Sequence, residues 1–185
     1  MSTCLIESLQ SVEDFRALRG RRYPLWIILL LAILGTVSGC YGYCALEEFC
    51  VRHYAALCEQ LEVKVKRWPS DTTFRRIFQQ LDFEKLTEKF NQWAVGEFEP
   101  QAGEWLAIDA KSIKGTVQGY SQSYQNFVSV VSVYSHQRGI VVALKQFENK
   151  RDSEIKVVQS LLGTLGLEDV VFTLDALHAQ KKPCS

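Results

Sequence analysis

The sequence has little of what marks a specialised chain. Its 185 residues include four prolines, one methionine and three histidines. Neither charge is in excess, because 21 Lys and Arg stand against 21 Asp and Glu. The balance also holds locally, with 12 basic and 13 acidic residues in positions 1–100 and 9 and 8 in 101–185. These absences exclude a disordered tail, a collagen-like repeat and a histone-like polycation. Any nucleic-acid surface is therefore local. No C-x2-C pair occurs, which argues against a zinc ribbon or finger. The six cysteines, at 4, 40, 44, 50, 58 and 184, read instead as thiols that pack like small hydrophobes. Without a secretory signal, a reducing cytoplasmic compartment is expected.

What the sequence does have is apolar surface, at 47% hydrophobic residues, enough for a sizeable core. Positions 25–46 carry no charge, and Arg19, Arg21 and Arg22 stand just before them. That run is long enough to span a bilayer and leaves a membrane anchor as one alternative. Its strongly apolar part stops near Val37, however, and Pro24 suits the first turn of a helix. A buried core helix is the expected reading, with no membrane partner.

Positions 5–94 have helical periodicity. A short amphipathic stretch over 5–18 precedes the apolar helix. A longer helix over 45–61 sets Leu46, Phe49, Cys50, His53 and Leu57 on one face. Pro69, Ser70 and Asp71 form a stop-and-start signal before a helix over 73–80, with Phe74 and Ile77 on one side and Arg75 and Arg76 on the other. A last helix is expected over 83–94. The Gly, Pro and acidic residues of 96–104 suggest a linker between a helical domain, 1–95, and a second domain, 105–185.

Beyond the linker the period changes to that of strands. Residues 105–109 (WLAID) read as a short strand ending on Asp109. Residues 127–135 and 140–147 read as a hairpin around His136–Gly139. An amphipathic helix over 152–165 closes at Gly166, and a fourth strand over 170–174 ends at Asp175. If the fourth strand lies parallel beside the first, as a helical crossover permits, both carboxylates emerge at one sheet edge. Two such groups bridged by divalent ions suit in-line displacement at phosphorus, although Asp at a strand end is also an ordinary turn residue.

The local sequences sharpen the choice. AIDAKSIKGT at 107–116 and TLDALHAQKK at 173–182 resemble two blocks of the H-repeat-associated (ISAs-type) bacterial insertion-sequence transposases, which carry a DDE catalytic domain. KRDSEI at 150–155, WPSDTTFRRIF at 68–78 and RGRRYPLWIILLLAILGTVSGC at 19–40 are similar to three further blocks, in the same order. The resemblance implies an α+β chain, in which an all-helical N-terminal domain precedes an incomplete ribonuclease H-like domain with a mixed four-stranded sheet. It implies DNA transposition through Mg2+- or Mn2+-dependent strand cleavage and strand transfer, in the two-metal manner. Asp109 and Asp175 would be the catalytic, metal-binding carboxylates.

The same resemblance sets Lys111, Lys114, Gln180 and Lys181 beside those carboxylates, as DNA contacts or as solvated loop residues. Arg75 and Arg76, near Lys64, Lys66 and Arg67, read as a phosphate-contacting face or a solvated one. Two departures stand out. Ala110 occupies a position where the family has Gly, and the third acidic residue has no counterpart among the ten positions after Asp175. Glu154 is a substitute ligand, or else a charge suited to the first turn of its helix. The expected chain is a C-terminally truncated transposase, inactive alone, in a cytoplasmic, nucleoid-associated setting. Its expected partners are insertion-element ends and target DNA, a second copy or a full-length transposase. A non-catalytic DNA-binding or regulatory fragment is the alternative.

Overall fold

The computed structural model describes residues 4–97, 101–117 and 126–174. The chain divides into two compact units, Cys4–Lys85 and the residues from Leu86 onward. The first is helical: α1 (Leu5–Gln10), α2 (Leu25–Val37), α3 (Tyr43–Arg52), α4 (Tyr54–Gln60) and α5 (Asp71–Gln80). Helix α6 (Phe83–Glu97) runs from the first unit into the second, which adds β1 (Trp105–Ser112), β2 (Val128–Ser135), β3 (Ile140–Glu148), α7 (Glu154–Leu165) and β4 (Val171–Leu174).

Helix α2 is apolar nearly all round, and such a helix belongs in a core. Leu25, Ile27, Ile28, Leu29, Leu30, Leu31, Ala32 and Gly35 are all buried. Residues 18–37 are long and apolar enough to qualify as a membrane span, yet half of that stretch is buried inside the protein. The helix proper has 13 residues, about 20 Å at 1.5 Å per residue, against a bilayer core of about 30 Å. Gly35 lets α3 approach, because a Cβ there would meet Leu46 Cδ2 at 2.6 Å.

Several helix boundaries depart from the periodicity. The 5–18 stretch is helical only to Gln10, because Asp14 captures the Arg16 backbone N–H at 3.1 Å and its guanidinium at 2.7 and 2.8 Å. Local bonds of this kind compete with the helical ladder. The expected 45–61 helix is interrupted at His53, whose backbone (φ −101°, ψ 21°) leaves the helical well. His53 is exposed, its ring tilted against Phe49. The thiols also differ from expectation: Cys50 is buried, but Cys4 and Cys44 are exposed. Burial pushes the Cys50 thiol up to about 12, so it packs as a neutral apolar group. Helix α5 starts at Asp71, whose N–H donates to Glu47 Oε2 of α3 at 2.9 Å. A carboxylate from a neighbouring helix thus caps α5, where its charge also suits the helix dipole.

The sheet has the order β3-β2-β1-β4. β1 and β2 pair antiparallel from Leu106 with Ser135 to Ser112 with Ser129, and β1 and β4 pair parallel from Trp105 with Val171 to Ile108 with Leu174. One face carries Leu106, Ile108, Val131, Val133, Val142 and Ala143, and α7 covers it with Val157, Val158 and Leu161. Gly166 ends α7 in the left-handed conformation (φ 56°), as a C-terminal cap does. The β2–β3 turn closes through Gly139 (φ 71°), whose N–H donates to the Ser135 carbonyl at 2.9 Å. At β3, the Asn91 amide of α6 imitates a strand. It donates to the Leu144 carbonyl at 2.8 Å and accepts the Leu144 N–H at 2.9 Å, pairing groups that an edge strand would leave open.

One expectation about β1 is corrected. The strand does not end at Asp109 but continues to Ser112, because the ladder with β2 supplies partners that the weaker apolar pattern of 110–112 does not announce. No turn follows Asp109, so the methyl group of Ala110 crowds none. It sits in the strand, half-buried against the α7-covered core.

Candidate functional site

Alternation along β1 places Asp109 on the sheet face turned away from α7. Leu106 and Ile108 are buried beneath that helix, and Ala110 packs against the same core, whereas Asp109 and Lys111 are exposed. Directly across the ladder stands Ser132, with Lys111 opposite Val130. The Ser132 hydroxyl lies 3.5 Å from the Asp109 carbonyl. Past the strand, the chain folds back onto β2. Ile113 N–H donates to the Val128 carbonyl at 2.8 Å, and Val128 N–H donates to Thr116 Oγ1 at 2.9 Å. Lys114 opens that short turn, Lys114–Thr116.

Asp175, Gln180 and Lys181 lie outside the described residues. Glu154 opens α7 and is half-buried, on a helix that packs against the face opposite Asp109. Among the described residues, no group of three or more His, Cys, Asp or Glu is placed to hold a metal. Arg75 and Arg76 are exposed on α5, with Phe74 and Ile77 buried behind them.

At the opposite end of β1 the structure holds a carboxylate that the sequence reading passed over. Glu104 is 3% exposed. The buried Ser135 hydroxyl donates to its Oε1, Gln101 N–H donates to Oε2 at 2.8 Å, and Arg138 Nη2 lies 3.4 Å from Oε2. The Ser135 bond, helped by Gln101 and Arg138, holds the carboxyl below its ordinary value against the opposing effect of burial. The Glu104 carbonyl accepts the Val171 N–H at 2.9 Å, and Gly103 N–H donates to the Asp169 carbonyl at 2.6 Å. The same short segment therefore fixes both the β2–β3 turn and the start of β4. Its only sequence signal is an acidic residue immediately before an apolar strand, and that signal is weak.

Known proteins bear on this arrangement. Residues 6–94 match the family model described as DDE_Tnp_1-associated. The chain is 27% identical over 183 residues to "Putative transposase YncI" of Escherichia coli O157:H7, with 96% of this chain and 44% of that protein covered. For the YncI of strain K12 the identity is again 27%, covering 96% of this chain and 70% of the relative. "H repeat-associated putative transposase YhhI" of strain K12 is 25% identical, covering 96% and 46%. This chain therefore spans about half the length of two of these three relatives. No solved structure gives a significant match. The helical half thus carries a region that matches the DDE_Tnp_1-associated model, and nearly the whole chain is similar to proteins described as putative transposases.

Proposed function

We propose that this chain carries part of the catalytic centre of a DNA transposase, with Asp109 and Asp175 as two of its metal-binding carboxylates. One observation carries the reading. β1 and β4 run parallel in register, their last pair is Ile108 with Leu174, and the next residue of each segment is an aspartate. Neighbouring strands of a sheet lie about 4.8 Å apart, and in the sequence Asp109 follows Ile108 as Asp175 follows Leu174. Two carboxylates brought close repel, and a shared divalent cation relieves the repulsion. The polar side chains that β1 and β2 set around Asp109 are Ser132 and Lys111. Carboxylate and hydroxyl oxygens fit Mg2+ or Mn2+, and the Lys111 ammonium is no part of that donor set.

Bound there, such ions supply activation of the attacking oxygen and stabilisation of the leaving one. The chain's own residues do the rest. Asp109 and Asp175 would hold the ions, and Lys111 and Lys114 would offset the charge of the reacting phosphate. Gln180 and Lys181 contact the DNA beside Asp175, and Arg75 and Arg76 take further phosphates on α5. The strand order, with β2 antiparallel and β4 parallel to β1, supports a ribonuclease H-like architecture. A third acidic ligand would complete the centre, and Glu154, half-buried at the start of α7, is one candidate for it. Titration of Mn2+ into the full chain, followed by electron paramagnetic resonance, tests the site. Asp109→Ala and Asp175→Ala should each weaken binding at least about tenfold. Unchanged binding in both variants overturns the assignment.

A further inference from the structure

Within the helical unit lies a cleft of about 540 Å³, lined by Arg22, Tyr23, Lys64, Val65, Lys66 and Arg67. Four of these residues are cations and none is an acid. Arg22, Lys64, Lys66 and Arg67 are all exposed, and none has an ion-pair or side-chain hydrogen-bond partner among the described residues. Their neighbours behave differently. Asp14 takes Arg16 at 2.7 Å and Arg21 at 3.7 Å, and both guanidinium groups also donate to backbone carbonyls. The nearby carboxylate is thus engaged by Arg16 and Arg21, and the cleft keeps its positive charge.

The walls of the cleft are tethered through backbone. The Tyr23 hydroxyl donates to the Arg67 carbonyl, and the Tyr54 hydroxyl donates to the Val65 carbonyl. The Tyr23 ring, itself buried, stacks on Trp68 with centroids 6.4 Å apart. Arg16 Nη2 donates to the Tyr23 carbonyl at 2.7 Å. Two segments far apart in sequence therefore make one surface, and the bonds that join them use none of its cationic groups. Burial alternates along one wall, with Val63 and Val65 half-buried and Lys64 and Lys66 exposed.

Four like charges around one open cleft repel each other, and a polyanion relieves that repulsion along its whole length. A single small anion would neutralise only part of it. Exposed lysines act as point charges that read phosphates rather than base edges. We propose that this cleft is a phosphate-backbone site through which the helical unit holds nucleic acid, independent of base sequence. The proposal rests on the reading of the chain as a DNA-acting protein, and it adds a site remote in sequence from Asp109.

The test uses the full chain and a fluorescein-labelled DNA duplex of arbitrary sequence, with anisotropy measured across a salt series. Lys64→Glu/Lys66→Glu should weaken binding at least about tenfold at 0.1 M salt and flatten the slope of log K against log salt by about 2. Lys64→Gln/Lys66→Gln should flatten the slope equally with a smaller loss, which keeps the test open if charge reversal perturbs folding. A charge-matched control, Arg52→Glu/Lys85→Glu, removes the same charge from elsewhere in the unit and should lose much less. An equal loss in control and cleft variants overturns the cleft as a site. Duplex binding unchanged in both cleft variants overturns it too, while leaving the DNA reading intact. Wild-type chain that binds no duplex at any salt overturns both. Loss of binding to phosphatidylglycerol–phosphatidylcholine vesicles, with duplex binding retained, reassigns the cleft to a lipid headgroup and overturns the proposal.

Discussion

The two units bury apolar surface by different means, and the difference decides where each can present chemistry. The helical unit wraps its core around α2, which is apolar on every side and leaves no face for polar groups. Exposed cations stand on its connections, at Arg22 and at 64–67, and on its outer helices, at Arg52, Arg75 and Arg76. The sheet unit covers one face with α7 and leaves alternate positions of β1 pointing the other way, so Asp109 sits within a regular strand. Charge follows the same division, with cations in the helical cleft and a carboxylate on the open sheet. The exposed position of Asp109 on the face away from α7 lets the sheet hold a reactive group on rigid backbone, whereas the helical unit offers its connections and outer helices.

Predictions follow that contrast. The largest effect is expected at Phe74, which is 0% exposed in the helical core. Phe74→Ala should cost about 3–5 kcal/mol. Hydrogen exchange should then show lost protection in α2, α3 and α5, with the β1–β2 ladder still protected. Simultaneous loss in the sheet would contradict the division into two units.

Glu104 comes next, as the polar anchor of the sheet unit. Because its carboxyl is held below the ordinary value of 4.5, the stability it contributes is present above that value and lost as pH falls through the lower folded-state one. Glu104→Gln should cost about 1–3 kcal/mol at pH 7, mostly by leaving Ser135 and Arg138 poorly satisfied. Denaturant melts should show the gap between wild type and variant closing on acidification below about pH 4. A gap independent of pH would mean that the ionised carboxylate is not what matters. The smallest effect is expected at Gly166, where a Cβ meets nothing within 4 Å but φ is 56°. Gly166→Ala should cost about 1 kcal/mol, purely from the left-handed backbone. A loss several times larger would reveal packing that this account does not include.

Much of the sheet unit was legible because alternation is local. The β2–β3 hairpin, the α7 stripe and its Gly166 cap lie within a few residues of the positions that pattern and turn chemistry indicate. The length of β1 was not legible, since Lys111 and Ser112 break the apolar run and only pairing with β2 keeps them extended. The interruption at His53 has no proline or glycine to announce it. The Asn91 clamp on Leu144 and the junction of Arg22 with Lys64–Arg67 depend on contacts across dozens of residues, which no window along the chain detects. Asp109 was found through the strand pattern and then its motif, and its in-strand position emerged only with the ladder. Asp175 is known by motif and by the register that leads up to it.

The most direct test of the central claim is a double-mutant cycle on Mn2+ affinity, using Asp109→Asn, Asp175→Asn and the pair together. If one ion is shared across the β1–β4 register, either single change should cost nearly as much as both. Losses that simply add would mean that the two carboxylates bind separately, and the shared metal site would be contradicted.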